Sequence, residues 1–370
     1  GNHQVAVKVT DQDLTEVSVA WTLNVTKDKT LFLSPDGNDN APGTIDQPKR
    51  SFAGWHLDDT SDNTYQGYHV IMRGGDYPWA AMASRNNNIE LHQRKPLVFL
   101  AYPGEEPVLD MSGGKFIANY SGGTPNGAPD LFVHGLTLKD GDQSRPNAHF
   151  FWLTGNTTER VTLFENTFRN LGPGTRGNDN PSVSFVSHTG DRKLYFAYIG
   201  NTYDGLKSSG NGVSLFDHYS TDYTIFENNR MVNIESRFGA WTKSDNGWTT
   251  FRRNTGTYSP TGIDGGMFVF TPGRGDPQYA LVEYCWNYVT MPPSTMMDGR
   301  GPTLVMFDWS KRGTGKAWAY RNTLFGKIWS RSAPTDQYPR VAENNVVISP
   351  YDTIHRFTDV NNLVGDPGQG

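Results

Sequence analysis

A single cysteine in 370 residues leaves no internal disulfide framework. It stands in the apolar run Val282-Glu283-Tyr284-Cys285-Trp286, where a thiol is expected to be buried and inert. No run of about eighteen apolar residues occurs, so no membrane span is expected. Charged residues make up 19% and hydrophobic residues 36% of the chain, both below the usual share for a compact globule. The acidic excess is slight, a net charge of −5, and lysine and arginine form no basic face. Nucleic acid is therefore not an expected partner. Helical periodicity is scarcest of all. Apolar residues hardly recur at helical spacing, and glycine and proline interrupt every long window, which argues against helical bundles and doubly wound α/β folds.

Glycine is abundant, at 40 residues, and asparagine is frequent, so the chain is built of short strands and many turns. Its length would ordinarily imply two globular domains. A solenoid escapes that limit, because it grows by adding rungs rather than by enlarging one core. The first residues alternate as strands do, with Val5, Val7 and Val9, a turn at Asp11-Gln12-Asp13, then Val17, Val19, Trp21 and Leu23. This predicts a β-hairpin within residues 1–29, either a cap on the solenoid or the remnant of an immunoglobulin-like domain.

From about residue 130 a unit repeats: a short apolar strand ends in asparagine, and a second strand, a loop and a third strand come after it. The markers are Asn166, Asn201, Asn228, Asn254, Asn287, Asn322 and Asn344. Their spacing varies, so the shortest unit sets one rung and the excess is loop. Asparagine suits the position because it tolerates left-handed backbone angles and its amide can bond the asparagines above and below. An antiparallel sandwich is the structural rival, but a recurrent asparagine after each strand favours stacked parallel rungs.

The segment Leu31-Phe32-Leu33-Ser34-Pro35-Asp36-Gly37-Asn38-Asp39, continuing to Pro42-Gly43-Thr44 and Gln47-Pro48, resembles the opening of the pectate-lyase-like β-helix superfamily. The resemblance implies a right-handed parallel β-helix over residues 30–370. Asp36, Asn38 and Asp39 are expected to shape this turn rather than bind calcium, since no glutamate closes a twelve-residue loop. Asn361-Asn362-Leu363-Val364-Gly365-Asp366-Pro367 resembles a point at which such helices continue. With Gly1 opening in mid-pattern rather than on a secretory leader, the chain is expected to be part of a larger, multidomain secreted or cell-surface protein.

In this superfamily the third strand of each rung faces a groove. Aligned by the next asparagine in the chain, these strands put Phe216, Trp241, Phe268, Phe270 and Phe307 on the outer face, with Lys243 among them. His188 and His218 fall at strand ends, and Asp217, Asp245 and Asp308 at the adjoining turns. Exposed aromatics in a groove imply a flat, partly apolar ligand such as a sugar ring. A one-residue slip would instead bury them, and His188 and His218 have structural readings too.

Cleaving a uronic-acid polymer by β-elimination needs a base, positive charge for the developing enolate and a proton for the leaving oxygen. A lysine desolvated by aromatics can act as base, and Lys243 fits; Arg237 and Arg274 are candidate charge stabilisers, and His218 a candidate acid or base. Glu235-Ser236-Arg237-Phe238-Gly239-Ala240-Trp241-Thr242-Lys243-Ser244, leading to Asn254-Thr255, and Gly265-Gly266-Met267-Phe268-Val269 resemble the chondroitinase B and alginate lyase family over some forty residues. The resemblance implies Lys243 as base. It also implies calcium, but Arg237 stands where the family has its second calcium-binding glutamate. Either calcium is not used or Arg237 takes over its charge role, and no other cofactor is expected. The family's catalytic arginine has no clean counterpart, Arg274 being nearest. Phe216-Asp217-His218-Tyr219 loosely resembles a strand of the alginate C5-epimerases, without its proline.

The expected activity is that of a polysaccharide lyase working as a monomer on an acidic polymer. A glycoside hydrolase using paired aspartates among Asp217, Asp245 and Asp308 is the first alternative. A non-catalytic carbohydrate-binding or adhesin β-helix is the second.

Overall fold

The computed structural model describes residues 2–10, 16–24, 29–51, 68–78, 88–90, 97–112, 115–119, 131–140, 149–154, 160–170, 182–187, 195–206, 215–219, 223–236, 238–244, 247–260, 266–272, 281–291, 304–306, 315–330, 333–349 and 354–365. Among them it contains no α-helix, and therefore no helix long and apolar enough to cross a membrane. Strands Asn2–Thr10 and Glu16–Asn24 pair antiparallel as a hairpin. The other described strands form three parallel sheets of twelve, eleven and ten members. Successive strands visit the first, second and third sheet in turn. Tyr223–Glu227, Arg230–Ser236 and Phe238–Ser244 form one such coil, and Trp248–Arg252 begins the next beside Tyr223–Glu227. This is a parallel β-helix.

The alternation of each strand fills the coil. In the first sheet, Tyr195–Ile199 and Tyr223–Glu227 bury every second residue. Tyr198, Phe226, Phe251 and Tyr284 occupy one inner column, and their rings stack with centroids 4.9, 4.9 and 5.5 Å apart. Burying each ring is worth about 1.5–3 kcal/mol. Cys285 is buried, as expected. Burial raises its thiol to about 11, so it stays protonated at neutral pH.

Between the first and second sheets runs the asparagine ladder: Asn166, Asn201, Asn229, Asn254, Asn287, Asn322, Asn345 and Asn362. From Asn201 onward, each side-chain oxygen accepts from the backbone N–H and the side-chain amide of the asparagine one rung earlier in the sequence. For Asn254, accepting from Asn229, both distances are 3.0 Å. Each side-chain amide also donates to a carbonyl on the first-sheet strand of the preceding rung, as Asn254 does to Phe226 at 2.9 Å.

Two of the expected markers shift by one: Asn229 and Asn345 stack, not Asn228 and Asn344. The structure divides the two tasks assigned to one asparagine. The left-handed conformation falls on the residue before each ladder position: Glu165, Gly200, Asn228, Arg253, Trp286, Arg321, Asn344 and Asn361, with φ between 52° and 67°. All of these except Gly200 carry a side chain, and the ladder asparagine next to each holds it in place. Left-handed angles cost such residues about 1–3 kcal/mol unless their surroundings over-determine them.

The opening turn serves structure. The Asp39 carboxylate accepts from Ser51 N–H (2.7 Å), the Ser51 hydroxyl (2.9 Å) and Arg50 N–H (3.1 Å). Gly37 lies so close to the Lys49 carbonyl that any Cβ would collide with it.

Candidate active site

The third sheet carries the candidate groove. Strand Ser182–Ser187 pairs with Phe216–Tyr219, which pairs with Phe238–Ser244, which pairs with Gly266–Pro272. The register is Phe185, Asp217, Trp241, Val269 in one column and Ser187, Tyr219, Lys243, Thr271 in another. The intervening columns contain the buried core residues Phe216, Ala240 and Phe268, and His218, Thr242 and Phe270.

This register corrects the expected facing. Phe216, Phe268 and Phe270 are fully buried in the main core and offer no platform. Against Phe238–Ser244, the strand Phe216–Tyr219 is displaced by three residues and Gly266–Pro272 by one from the alignment by asparagines, and an odd displacement exchanges the faces. His218 is corrected with them. It is fully buried, its Nε2 lies 2.9 Å from the Tyr198 hydroxyl, and it packs against Phe196, Tyr198 and Phe226. It is a core histidine, out of reach of a substrate.

Burial lowers the His218 pKa from 6.5 to about 3. The unfolded chain accepts a proton near pH 6.5 that the folded chain refuses until about pH 3, so acidification through that window favours unfolding. His218→Gln is expected to flatten the fall in Tm between about pH 7 and pH 4. Parallel Tm–pH curves for the two proteins would contradict this.

Trp241 belongs to the outer column but is only 8% exposed. It packs with Phe238 (centroids 4.9 Å apart), Val269 and Trp329 in a small cluster separate from the main core. Its expected role as an open sugar platform is corrected to that of a covered support. The indole N–H donates to the Thr271 hydroxyl at 3.0 Å. Thr271 is the register partner of Lys243, so this bond ties the Trp241 column to the strand beside Lys243.

Two local irregularities precede Lys243 in the chain. The pairing of Arg230–Ser236 with Thr255–Pro260 shifts register between Met231 and Ile234, and Asn233 there has φ 56°. Such a bulge re-aims the chain beyond it. Gly239 then passes so close to the Met267 carbonyl that a Cβ would collide.

The structure therefore puts Asp217 and Tyr219 on one strand beside Trp241 and Lys243 on the next, about 4.8 Å away. Tyr219 was missed by sequence reading. The signal was its place two residues after Asp217 in a strand already singled out. Arg237, Arg274, His188, Asp245, Asp308 and the Phe307 ring lie outside the described residues. Among the described residues no group of three or more His, Cys, Asp or Glu could hold a metal ion. Glu235 is exposed on the second-sheet strand.

No family model and no curated protein sequence matches the chain. A solved structure described as "Rhamnogalacturonan lyase" matches with a TM-score of 0.52 and 14% identity, covering 92% of this chain and 88% of that one. The likeness is one of fold. It agrees with the β-helix read from the sequence and extends over nearly its whole length.

Proposed function

We propose that the chain is a polysaccharide lyase that cleaves a uronic-acid-containing polymer by β-elimination on the third sheet. The observation that carries the reading is the register that sets Lys243 beside Tyr219 on adjacent strands, with Asp217 and Trp241 two residues away. The fold it shares with a structure described as a rhamnogalacturonan lyase supports the same reading and makes that polymer the first to try.

In this mechanism the neutral Lys243 amine takes the acidic proton beside the substrate carboxylate. The electron pair left on carbon forms the ring double bond, the bond to the glycosidic oxygen breaks, and that oxygen takes a proton from the Tyr219 hydroxyl. Arg237 and Arg274 are the proposed charge partners of the substrate carboxylate, a contribution that commonly dominates such reactions. Asp217, beside Trp241, is proposed to accept from substrate hydroxyls. No step passes through calcium. A polymer substrate implies a secreted or cell-surface setting, and the chain is proposed to act as a monomer.

The test is an absorbance screen over rhamnogalacturonan, polygalacturonate, alginate, chondroitin and ulvan. A lyase leaves a conjugated double bond, so absorbance near the ultraviolet edge should rise on at least one polymer. New reducing ends without that absorbance would assign a hydrolase, and no product on any of them would remove the enzymatic reading.

A further inference from the structure

The expected reason for a neutral Lys243, desolvation by Phe216, Phe268 and Phe270, falls away with the burial of those rings in the main core. An ordinary lysine, with a pKa of about 10.4, is almost wholly an ammonium at neutral pH and cannot take a proton. The outer face of the third sheet supplies another reason. Val269 and Thr271 alternate with the core residues Phe268 and Phe270 and share its outer columns with Trp241 and Lys243. Trp241, Val269 and Thr271 are 8%, 0% and 3% exposed, so the face beside Lys243 is covered from water.

Within this covered patch one proton has no acceptor. Among the described residues, the Thr271 hydroxyl makes a single hydrogen bond, the 3.0 Å bond to the Trp241 indole. An indole N–H only donates, so the Thr271 oxygen accepts and its own proton remains to be given. A buried donor without an acceptor costs free energy. Lys243 is the register partner of Thr271, on the same face and one strand away, about 4.8 Å. An ammonium offers donors only, whereas a neutral amine offers a lone pair.

We propose that Thr271 is a positioning residue for Lys243: its hydroxyl, fixed by the Trp241 indole, donates to the Lys243 amine and holds it in the neutral form. A hydrogen bond to the neutral form and loss of solvent each lower a lysine pKa. From the Phe216–Tyr219 strand, the outer columns bring Asp217 and Tyr219 to the same neighbourhood. The Asp217 carboxylate opposes the effect by favouring the ammonium, and the Tyr219 phenol is uncharged at neutral pH. Neither Phe238–Ser244 nor Gly266–Pro272 carries another titratable side chain. Arg237 and Arg274, the proposed partners of the substrate carboxylate, act in the same direction as Thr271. The service Lys243 performs rests on the lyase reading; its pairing with Thr271 does not.

The test reads the Lys243 amine with no substrate present. Brief acetylation with acetic anhydride across a pH series, with the Lys243 peptide quantified by mass, gives the pH at which the amine loses its proton. In the native protein this should lie at least about one unit below the ordinary lysine value. Thr271→Val should raise it by about one unit, a tenfold loss of neutral amine at neutral pH. Thr271→Val combined with Trp241→Phe should do the same while leaving no indole N–H without its acceptor. Thr271→Ser keeps the hydroxyl and should titrate as the native protein does. On any polymer that is cleaved, the acidic limb of the kcat profile should move by the same amount in the same variants. An ordinary value for native Lys243, no shift in either valine variant, or a shift with Thr271→Ser as large as with Thr271→Val would each overturn the inference. If the shifts appear but the native protein cleaves no polymer, the lyase reading fails and the Thr271–Lys243 pairing stands. If a polymer is cleaved by elimination but the shifts are absent, the pairing fails and the lyase reading stands.

Discussion

Replacing Asn254 with alanine is expected to destabilise the protein by on the order of 3–5 kcal/mol, although the residue touches no proposed site. Asn254 is fully buried in the middle of the ladder. Its side-chain oxygen accepts from the Asn229 N–H and amide, and its own amide donates to the Phe226 carbonyl and the Asn287 oxygen. Alanine leaves several of these buried groups without their partner, and each costs about 1–3 kcal/mol when no water can replace it. The loss should extend to neighbouring rungs, because the next asparagine in each direction loses a contact. Asn254→Asp should lose at least as much near neutral pH, since a fully buried carboxylate would face two acceptors, the Phe226 carbonyl and the Asn287 oxygen, and should regain part of that loss when acid protonates it. Denaturant unfolding of the three proteins reads this directly, with the curves fitted to more than one step where a solenoid's rungs unfold separately. A cost below about 1 kcal/mol for alanine would contradict the ladder's role.

Lys243→Ala is expected to lower turnover by about a thousandfold or more while shifting stability by no more than about 0.5 kcal/mol. Lys243 shares its column with Tyr219 and Thr271, not with the core residues Thr242 and Phe270 that alternate with it. Its register position falls on the face opposite the main core, so its removal is expected to spare the packed interior. Lys243→Arg separates the two services a lysine could provide. Arginine keeps the positive charge but does not give up its proton at neutral pH, so it cannot act as base. If Lys243 is the base, the arginine variant should bind polymer and fail to cleave it. Near-normal turnover in Lys243→Arg would make the residue a charge partner. A large fall in Tm with Lys243→Ala would make it structural.

The fold was legible because its periodic element is chemical as well as hydrophobic. Five of the expected markers, Asn166, Asn201, Asn254, Asn287 and Asn322, are ladder residues. The two displaced ones occur in Asn-Asn pairs, Asn228-Asn229 and Asn344-Asn345. There the first asparagine takes the left-handed turn and the second stacks, and composition alone does not order the two tasks.

The facing of the third sheet was less legible for a physical reason. Counting back from the asparagines carries the length of an intervening loop into the register. The next first-sheet strand comes soon after Ser244 but at a greater distance after Pro272. An error of any odd number of residues then exchanges inside and outside, and the interior of this coil is itself aromatic. Phe216, Phe268, Phe270 and His218 therefore had the composition of a groove and the location of a core. The exposed first-sheet rings Tyr195, Tyr223 and Trp248 were readable by the same device used correctly. Each stands the same number of residues before its ladder asparagine, Asn201, Asn229 and Asn254, with no loop between.

The central claim is that the polymer is cut by elimination. The most direct measurement is the mass of the oligosaccharides released from the first polymer that the protein degrades. The account predicts fragments whose new non-reducing end is unsaturated, each lighter by one water than the corresponding hydrolysis product, and none from Lys243→Ala. Fully hydrated fragments from the native protein would contradict it and assign the cleavage to paired carboxylates.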